Sequence, residues 1–193
     1  MTSVELTDEL LKLSDFFAQN PESGVTFSGG EPLMQIDFVE ETAQRLHRAS
    51  LSTAVETSGF SDPAAYRRLI AAVDYVFQDI KHPDDEAHLR WTGVSNRPIL
   101  ENLTQLMNAN TPFTVRVPIV PSVNDDLPTM EKIAALLLDT KNLRTVELLT
   151  YHAAGIAKYA QLGVQPPQIF EEKPIPQNLT DPFIARNLPV RIL

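Results

Sequence analysis

The sequence predicts an α/β protein built around one parallel sheet. Helical and strand-like patterns of apolar residues alternate along the chain in units of roughly thirty residues, which is typical of βα repeats. The 193 residues are 43% hydrophobic and 21% charged, enough apolar material for a sizeable core and too little charge for a disordered chain. No repeat, low-complexity segment or linker divides the sequence, so we expect a single domain over residues 1–193.

The predicted helices follow from apolar residues spaced three and four apart. The first contains Leu6, Leu10 and Phe16 and cannot continue through Asn20, because the residue before a proline avoids the helical conformation. Asp62 and Pro63 suit the N-cap and the first position of a later helix. The six predicted helices cover residues 6–17, 35–49, 64–73, 96–107, 127–138 and 182–187.

The predicted strands are short runs rich in β-branched and aromatic residues. They cover residues 24–28, 52–56, 75–80, 113–120, 145–151 and 189–193. Prolines become frequent beyond about residue 165, at positions 166, 167, 174 and 176, and proline interrupts regular structure. We therefore expect residues from about 165 to 193 to wrap the edge of the domain and to end in the last strand.

Composition excludes several classes of function. The chain has 16 Lys and Arg against 25 Asp and Glu, a net charge of −9, which argues against a nucleic-acid partner. It lacks both an apolar run long enough to span a membrane and a targeting segment, so we expect a cytoplasmic protein with no membrane partner. Cysteine is absent, which excludes disulfides, thiolate zinc sites and any iron–sulfur cluster held by this chain's own thiolates.

Polar residues and glycines follow the predicted strands at their carboxyl ends, where α/β proteins bind their ligands. After the first strand, Gly29 and Gly30 would let the backbone approach a ligand, and Glu31 would accept a hydrogen bond from an ammonium group. A simple turn is the alternative interpretation of this loop. The sequence thus predicts a ligand site at one edge of the sheet.

Charged residues at the ends of the next strands extend this site. Glu56 and Asp79, together with Thr57, offer oxygen atoms to a ligand or a hard cation, although each carboxylate also suits a helix or turn cap. Asp79 and Lys81 flank one apolar residue and suit a zwitterionic ligand or a surface ion pair. Arg116 interrupts an apolar strand and needs a partner, because burial of an unpaired charge is costly.

Among the histidines, only His152 stands at the end of an apolar strand. His47, His82 and His88 lie in helical or loop contexts and are expected at the surface. The sequence contains neither HxxxH or HExxH spacing nor a serine in a nucleophile elbow, which argues against zinc hydrolase and serine hydrolase chemistry.

Five motifs in this order resemble the radical S-adenosylmethionine (SAM) superfamily, and within it the activating enzymes of glycyl radical enzymes, such as pyruvate formate-lyase activating enzyme. The resemblance covers nearly the whole chain. The motifs are residues 24–33; 56–60; 77–81 with 92–96; 116–121 with 124–125; and 147–152 with Gly155 and Lys158.

The resemblance implies a partial parallel (β/α) barrel of the radical SAM type, open on one side, and a role for each matching residue. Arg116 matches a catalytic arginine near SAM and the incoming peptide. Glu56, Thr57 and Asp79 match positions that hold a monovalent cation beside SAM. The residues implied to bind SAM are Gly29, Gly30, Glu31, Glu56, Asp79, Ile80, Lys81 and His152.

The implied activity is reductive cleavage of SAM at a 4Fe–4S cluster, followed by removal of a hydrogen atom from a glycine of a partner glycyl radical enzyme. Flavodoxin or ferredoxin is the implied electron donor.

The sequence departs from this family at the cluster, because family members hold it with a CxxxCxxC segment and this chain has no cysteine. We therefore expect the first strand and the cluster loop to be missing, and the chain to be an inactive fragment that retains part of the SAM pocket. Two alternatives stay open: a radical SAM enzyme that acts on another substrate, and a non-catalytic module that binds SAM or a protein.

Overall fold

Six parallel strands, paired in chain order from β1 to β6, form the sheet of the computed structural model, which describes residues 1–20, 22–153, 159, 163–165 and 168–193. Pro21, Gly155, Lys158, Pro166 and Pro167, all used in the sequence analysis, lie outside the described residues. The strands are β1 (Gly24–Phe27), β2 (Ser52–Thr57), β3 (Tyr75–Asp79), β4 (Phe113–Ile119), β5 (Leu143–Thr150) and β6 (Val190–Ile192).

Helices connect the strands, as the alternating pattern predicts. Asp62 caps one of them through its carboxylate, which accepts hydrogen bonds from the N–H groups of Ala64 and Ala65. No helix in the described ranges is long and apolar enough to cross a bilayer. The helices are α1 (Ser3–Leu11), α2 (Ser14–Gln19), α3 (Ile36–Arg48), α4 (Pro63–Ala72), α5 (Asp85–Thr92), α6 (Arg97–Met107), α7 (Leu127–Leu136) and α8 (Asp181–Ile184), with short 3-10 turns at Pro32–Gln35 and Gln177–Thr180.

The core lies between the helices and one face of the sheet. Because side chains alternate along a strand, Val115 and Val117 of β4 point into this core while Arg116 points to the opposite face. Leu103 of α6 and Ile133 of α7 belong to the same buried cluster. The helices therefore cover the apolar face. The opposite face, which we call the polar face, carries charged side chains such as Arg116 together with the ring of Phe77.

The connections place the carboxyl ends of all six strands at one edge of the sheet, which we call the carboxyl edge. Every neighbouring pair is parallel, from β1 with β2 to β5 with β6. In the described residues β1 and β6 form the two ends of the sheet and do not pair with each other, so the sheet is not closed. The predicted α/β class and the open, parallel arrangement are confirmed.

Two elements differ from the sequence expectations. The helix predicted over residues 6–17 is two helices, because the backbone leaves the helical conformation at Leu13, with ψ of 18°. Helix α5 was not predicted, although Asp84 caps its start and Gly93 ends it in the left-handed conformation, with φ of 81°. Its few apolar residues gave only a weak helical period.

The prediction that His88 lies at the surface is wrong. It is 2% exposed on α5, and its Nδ1 lies 2.8 Å from the carbonyl oxygen of Val94 and 3.0 Å from Thr92 Oγ1. This side chain holds the turn after α5 against the helix, which is a structural role.

A carboxylate at the opposite edge of the sheet makes stability depend on pH. Partial burial of Asp74 opposes its ionisation, but the N–H of Thr53 at 2.7 Å and the imidazole of His47 at 2.9 Å outweigh it and lower the pKa of Asp74. A carboxyl with a lowered pKa stabilises the fold above its unfolded pKa, and this contribution is lost as the pH falls through the folded pKa.

We expect Asp74→Asn to destabilise the protein at neutral pH, and the deficit relative to wild type to shrink as the pH drops below about 4. Urea unfolding of both proteins between neutral and acidic pH measures this difference. Asp8, an exposed carboxylate on α1, provides the control Asp8→Asn. A deficit that is the same at every pH would contradict the assignment.

Candidate active site

The loop after β1 presents open backbone at the carboxyl edge. Gly29 has φ of +101°, a conformation that side chains rarely adopt, and Gly30 follows it. Both residues are exposed, and a Cβ added at either would meet no atom within 4 Å. The loop therefore leaves room for a ligand next to its backbone N–H and C=O groups.

Glu31 ties this loop to the end of β2. Its Oε1 accepts hydrogen bonds from Thr57 Oγ1 at 2.6 Å and from the Leu33 N–H at 3.2 Å. Its Oε2 accepts from the N–H of Ser58 at 2.9 Å and from the hydroxyl of Ser58 at 2.5 Å. A carboxylate has about four lone-pair positions, so these four donors occupy its capacity. The predicted contact between Glu31 and a ligand remains a prediction, whereas its role in shaping the loop is visible.

We expect Glu31→Ala to lower the free energy of unfolding by about 1–3 kcal/mol, because two loops lose the carboxylate that joins them. Urea denaturation compares it with Glu101→Ala, which removes an exposed carboxylate on α6. Equal stabilities for the two variants would contradict this role for Glu31.

Four charged side chains cross the polar face of the sheet, and we call them the charge row. Glu56 on β2 lies 2.5 Å from Nη1 of Arg116 on β4, whose Nε lies 3.1 Å from Glu147 on β5. The other oxygen of Glu147 lies 2.5 Å from Nη2 of Arg191 on β6. Two carboxylates balance two guanidinium groups, so the row is neutral as a whole.

The surroundings favour the charged form of both Glu56 and Arg116. The hydroxyl of Ser28, 2.6 Å from Glu56, lowers the pKa of Glu56, and Arg116 lowers it further against the effect of partial burial. Burial opposes the charge of Arg116, but Glu56 and Glu147 outweigh it and raise the pKa of the guanidinium. The guanidinium also lies over the ring of Phe77, 4.0 Å from its centroid.

The end of β3 supplies a second ion pair at the carboxyl edge. Asp79 Oδ2 and Lys81 Nζ are 3.1 Å apart, and both side chains are partly exposed. Between them, the side chain of Ile80 is buried in the core, and its N–H donates to the carbonyl of Arg116 at 2.8 Å. Ile80 therefore offers a ligand its backbone only.

Asn124 holds the ends of β3 and β4 together. Its Nδ2 donates to the carbonyls of Lys81 at 2.9 Å and Pro118 at 2.8 Å, and its Oδ1 accepts from the N–H of Val120 at 2.7 Å. The side chain is 1% exposed. The motif at residues 124–125 thus fixes the position of Lys81.

Next to Lys81 lies an apolar cavity of about 200 Å³, lined in part by His88, Val123 and the aromatic rings of Trp91 and Phe170. The rings of Trp91 and Phe170 meet edge to face, with centroids 5.8 Å apart. Trp91 is the single tryptophan of the chain, so its fluorescence reports on this side of the carboxyl edge.

The predicted site residues do not all meet. Glu56 pairs with Arg116, Thr57 with Glu31, and Asp79 with Lys81, so the three residues proposed to hold a monovalent cation each have a protein partner. The described residues contain no group of three or more His, Cys, Asp or Glu side chains that could hold a metal ion. His152 is exposed just beyond β5.

Sequence reasoning missed Glu147 and Arg191 as members of the site. Glu147 lies among apolar residues of a strand, the same signal that singled out Arg116, and it is 2% exposed. The rule that a charge inside an apolar strand needs a partner applies equally to it. Arg191 gave no comparable signal, because its strand is only three residues long.

Comparisons with known proteins identify the family. The radical SAM superfamily profile matches residues 3–134. The chain is 38% identical over 160 residues to the 4-hydroxyphenylacetate decarboxylase activating enzyme of Clostridioides difficile (strain CD196), with 81% of this chain and 50% of that protein covered. It is 33% identical over 164 residues to the pyruvate formate-lyase-activating enzyme of Clostridium pasteurianum, covering 85% of this chain and 68% of that protein. The chain thus spans about half the length of the first of these relatives.

A solved structure agrees on the fold. A domain of pyruvate-formate lyase-activating enzyme from Bacteroides vulgatus ATCC 8482 superposes with a TM-score of 0.73 at 23% identity, over 89% of this chain and 99% of that chain.

The cofactors of this superfamily, SAM and a 4Fe–4S cluster, fit the chain unequally. The open backbone at Gly29 and Gly30 offers space and hydrogen-bonding groups to SAM. The cluster needs thiolate ligands, and the chain has no cysteine to provide them. The matching profile, the relatives and the fold agree: the chain belongs to the radical SAM superfamily, and the relatives named above are activating enzymes.

Proposed function

We propose that residues 1–193 form one domain, the SAM-binding part of a cytoplasmic enzyme that activates a glycyl radical enzyme. The observation that carries this proposal is the open Gly29–Gly30 backbone at the carboxyl edge, directly after Ser28, which bonds to Glu56 of the charge row. The named activities of the relatives supply the reaction type. In the proposed reaction, one electron from a flavodoxin or ferredoxin would cleave SAM to methionine and a 5′-deoxyadenosyl radical. This radical would take the hydrogen atom from a glycine Cα of the partner and become 5′-deoxyadenosine.

In this proposal, residues from different strand ends make different contacts with SAM. The N–H and C=O groups of Gly29 and Gly30 bind the amino-acid end of SAM, and Glu31 shapes their loop. Lys81 and the backbone of Ile80 add contacts from the neighbouring strand end. Asp79 orients Lys81 through their ion pair.

Arg116 and His152 serve the side that meets the partner. Arg116 lies on the polar face with 23% of its side chain exposed, so its Nη2, which neither carboxylate engages, can donate to an anionic group of SAM or of the incoming peptide. His152 is exposed beyond β5 and free to contact a bound ligand. In this proposal a monovalent cation binds to Glu56, Thr57 and Asp79. The ion takes the place of one of the side chains that pair with them in the structure.

The chain by itself has no activase activity under this proposal. Because it contains no cysteine, the cluster ligands of an active enzyme come from polypeptide outside these 193 residues. What remains testable in this chain is the binding of SAM.

Isothermal titration with SAM tests the proposal. We expect the wild-type chain to bind SAM, and Gly30→Val to weaken binding by at least about tenfold, because a branched side chain enters the open space. Gln44→Val, at an exposed position of α3, is the control and should bind like wild type. The fluorescence of Trp91 provides a second signal. Equal affinity of wild type and Gly30→Val, or no binding by the wild type, would overturn the proposal.

A further inference from the structure

Glu147 is a buried carboxylate to which the proposed function assigns no task. It lies on β5 in register with Arg116 of β4 and Arg191 of β6, and it is 2% exposed. A buried carboxylate is costly unless it is paired, whereas well-packed apolar residues at such a position are often equally stable or more stable. Stability alone therefore does not explain a charge here.

Both oxygens of Glu147 are engaged by arginines from opposite sides. Oε2 accepts from Nε of Arg116 at 3.1 Å, and Oε1 accepts from Nη2 of Arg191 at 2.5 Å. Two partners on two different strands fix the carboxylate in one orientation. The carboxylate in turn fixes the position of the Arg116 Nε–H group.

Arg116 is held in three ways. Nε bonds to Glu147, Nη1 bonds to Glu56, and the planar group lies over Phe77. Among the described residues, its third nitrogen, Nη2, has no hydrogen-bond partner, and 23% of the side chain is exposed. A guanidinium group is a rigid fork, so fixing two nitrogens also fixes the direction of the third.

We propose that Glu147 is a positioning residue that orients the Arg116 guanidinium so that Nη2 faces an anionic group of the bound ligand. This inference rests on the proposed function for the identity of that ligand, SAM. Glu56 shares the task, but it is more exposed and has a second partner in Ser28. Glu147 is the buried anchor, and Arg191 holds it from the far side.

The first test is the Arg116 Nε–H signal in the nitrogen-15 NMR spectrum of the chain. We expect this proton to exchange slowly with water in the wild type and at least about tenfold faster in Glu147→Gln, which loses the charge-assisted hydrogen bond. In Glu147→Asp, which keeps the charge, the exchange rate should lie between those of the wild type and Glu147→Gln. Glu131→Gln, which removes the carboxylate partner of Arg186 outside the charge row, is the control and should match wild type. Unchanged exchange in Glu147→Gln would overturn the proposal.

The second test is a double-mutant cycle on SAM affinity. We expect Glu147→Gln to weaken SAM binding by about tenfold in the wild-type background and by less than about twofold when Arg116→Gln is also present. Equal losses in the two backgrounds would mean that Glu147 acts on the fold and not through Arg116, and would overturn the proposal.

These two measurements separate the inference from the proposed function. If Arg116→Gln alone leaves SAM affinity unchanged, Arg116 is not a SAM contact, and that part of the proposed function fails. The Nε–H exchange still decides in that case whether Glu147 positions Arg116. Should Glu147→Gln fail to fold, Glu147→Asp supplies both measurements.

Discussion

Replacement of Gly59 by alanine is expected to destabilise the protein by about 2–4 kcal/mol, from left-handed strain and overpacking together. Gly59 follows β2 with φ of +72°, and a Cβ there would lie 2.5 Å from Nε2 of Gln78. Gln78 has no room to retreat, because it is fully buried and bonds to Tyr66 Oη at 2.7 Å and to the carbonyl of Ser58 at 2.9 Å. The substitution therefore disturbs the loop that Glu31 holds.

Gly93 provides a matched control for this substitution. It has a similar φ of +81°, but a Cβ there would meet nothing within 4 Å. Gly93→Ala should therefore show only the cost of the left-handed backbone, about 1–2 kcal/mol. Urea unfolding followed by circular dichroism measures both variants. If both lose the same stability, contact with Gln78 is not what requires glycine at position 59.

Replacement of Asn124 by alanine is the second large effect, a loss of about 2–4 kcal/mol. One buried side chain satisfies two carbonyls and one N–H, those of Lys81, Pro118 and Val120, and alanine leaves all three without it. The end of β3 is then no longer tied to β4. We also expect SAM affinity to fall, because Lys81 loses its fixed position.

Asn108 serves as the control for Asn124. Its Nδ2 donates to the carbonyl of Thr104 at 2.8 Å, but the side chain lies on the surface at the end of α6. Asn108→Ala should cost less than about 1 kcal/mol and leave SAM affinity unchanged. Weakened SAM binding in Asn108→Ala, or full affinity in Asn124→Ala, would contradict the role given to Asn124.

Much of the fold was predictable because short runs of β-branched and aromatic residues mark its strands, and alternation within a strand marks the buried face. In β4, Val115 and Val117 are buried against the helices and Arg116 lies on the other face, so period-two alternation locates both the strand and its polar side. Helix α5 escaped prediction because its polar residues dominate its short length, and only its capping residues Asp84 and Gly93 marked it. Where the apolar period is weak, capping residues at both ends still indicate a helix.

The sequence could predict which residues lie at the strand ends of the candidate site, but not which of their side chains pair. A parallel sheet brings the residues after each strand to one edge, which was enough to select Gly29, Glu31 and Lys81. Which charges pair across the sheet depends on register and on how far each side chain reaches. Arg116 is in register with Asp79, yet it bonds to Glu56, two strands away, across the ring of Phe77. The sequence pattern does not show that the Arg116 side chain reaches Glu56 across an intervening strand.

Backbone amide NMR tests the proposed SAM site most directly, because it maps binding onto individual residues. We expect added SAM to shift the amide signals of residues 28–31, 80–81 and 116, all at the carboxyl edge or on the polar face, and to leave Thr53 and Asp74 at the opposite edge unchanged. Shifts confined to the edge around Thr53 and Asp74, or none at all, would contradict the proposed SAM site.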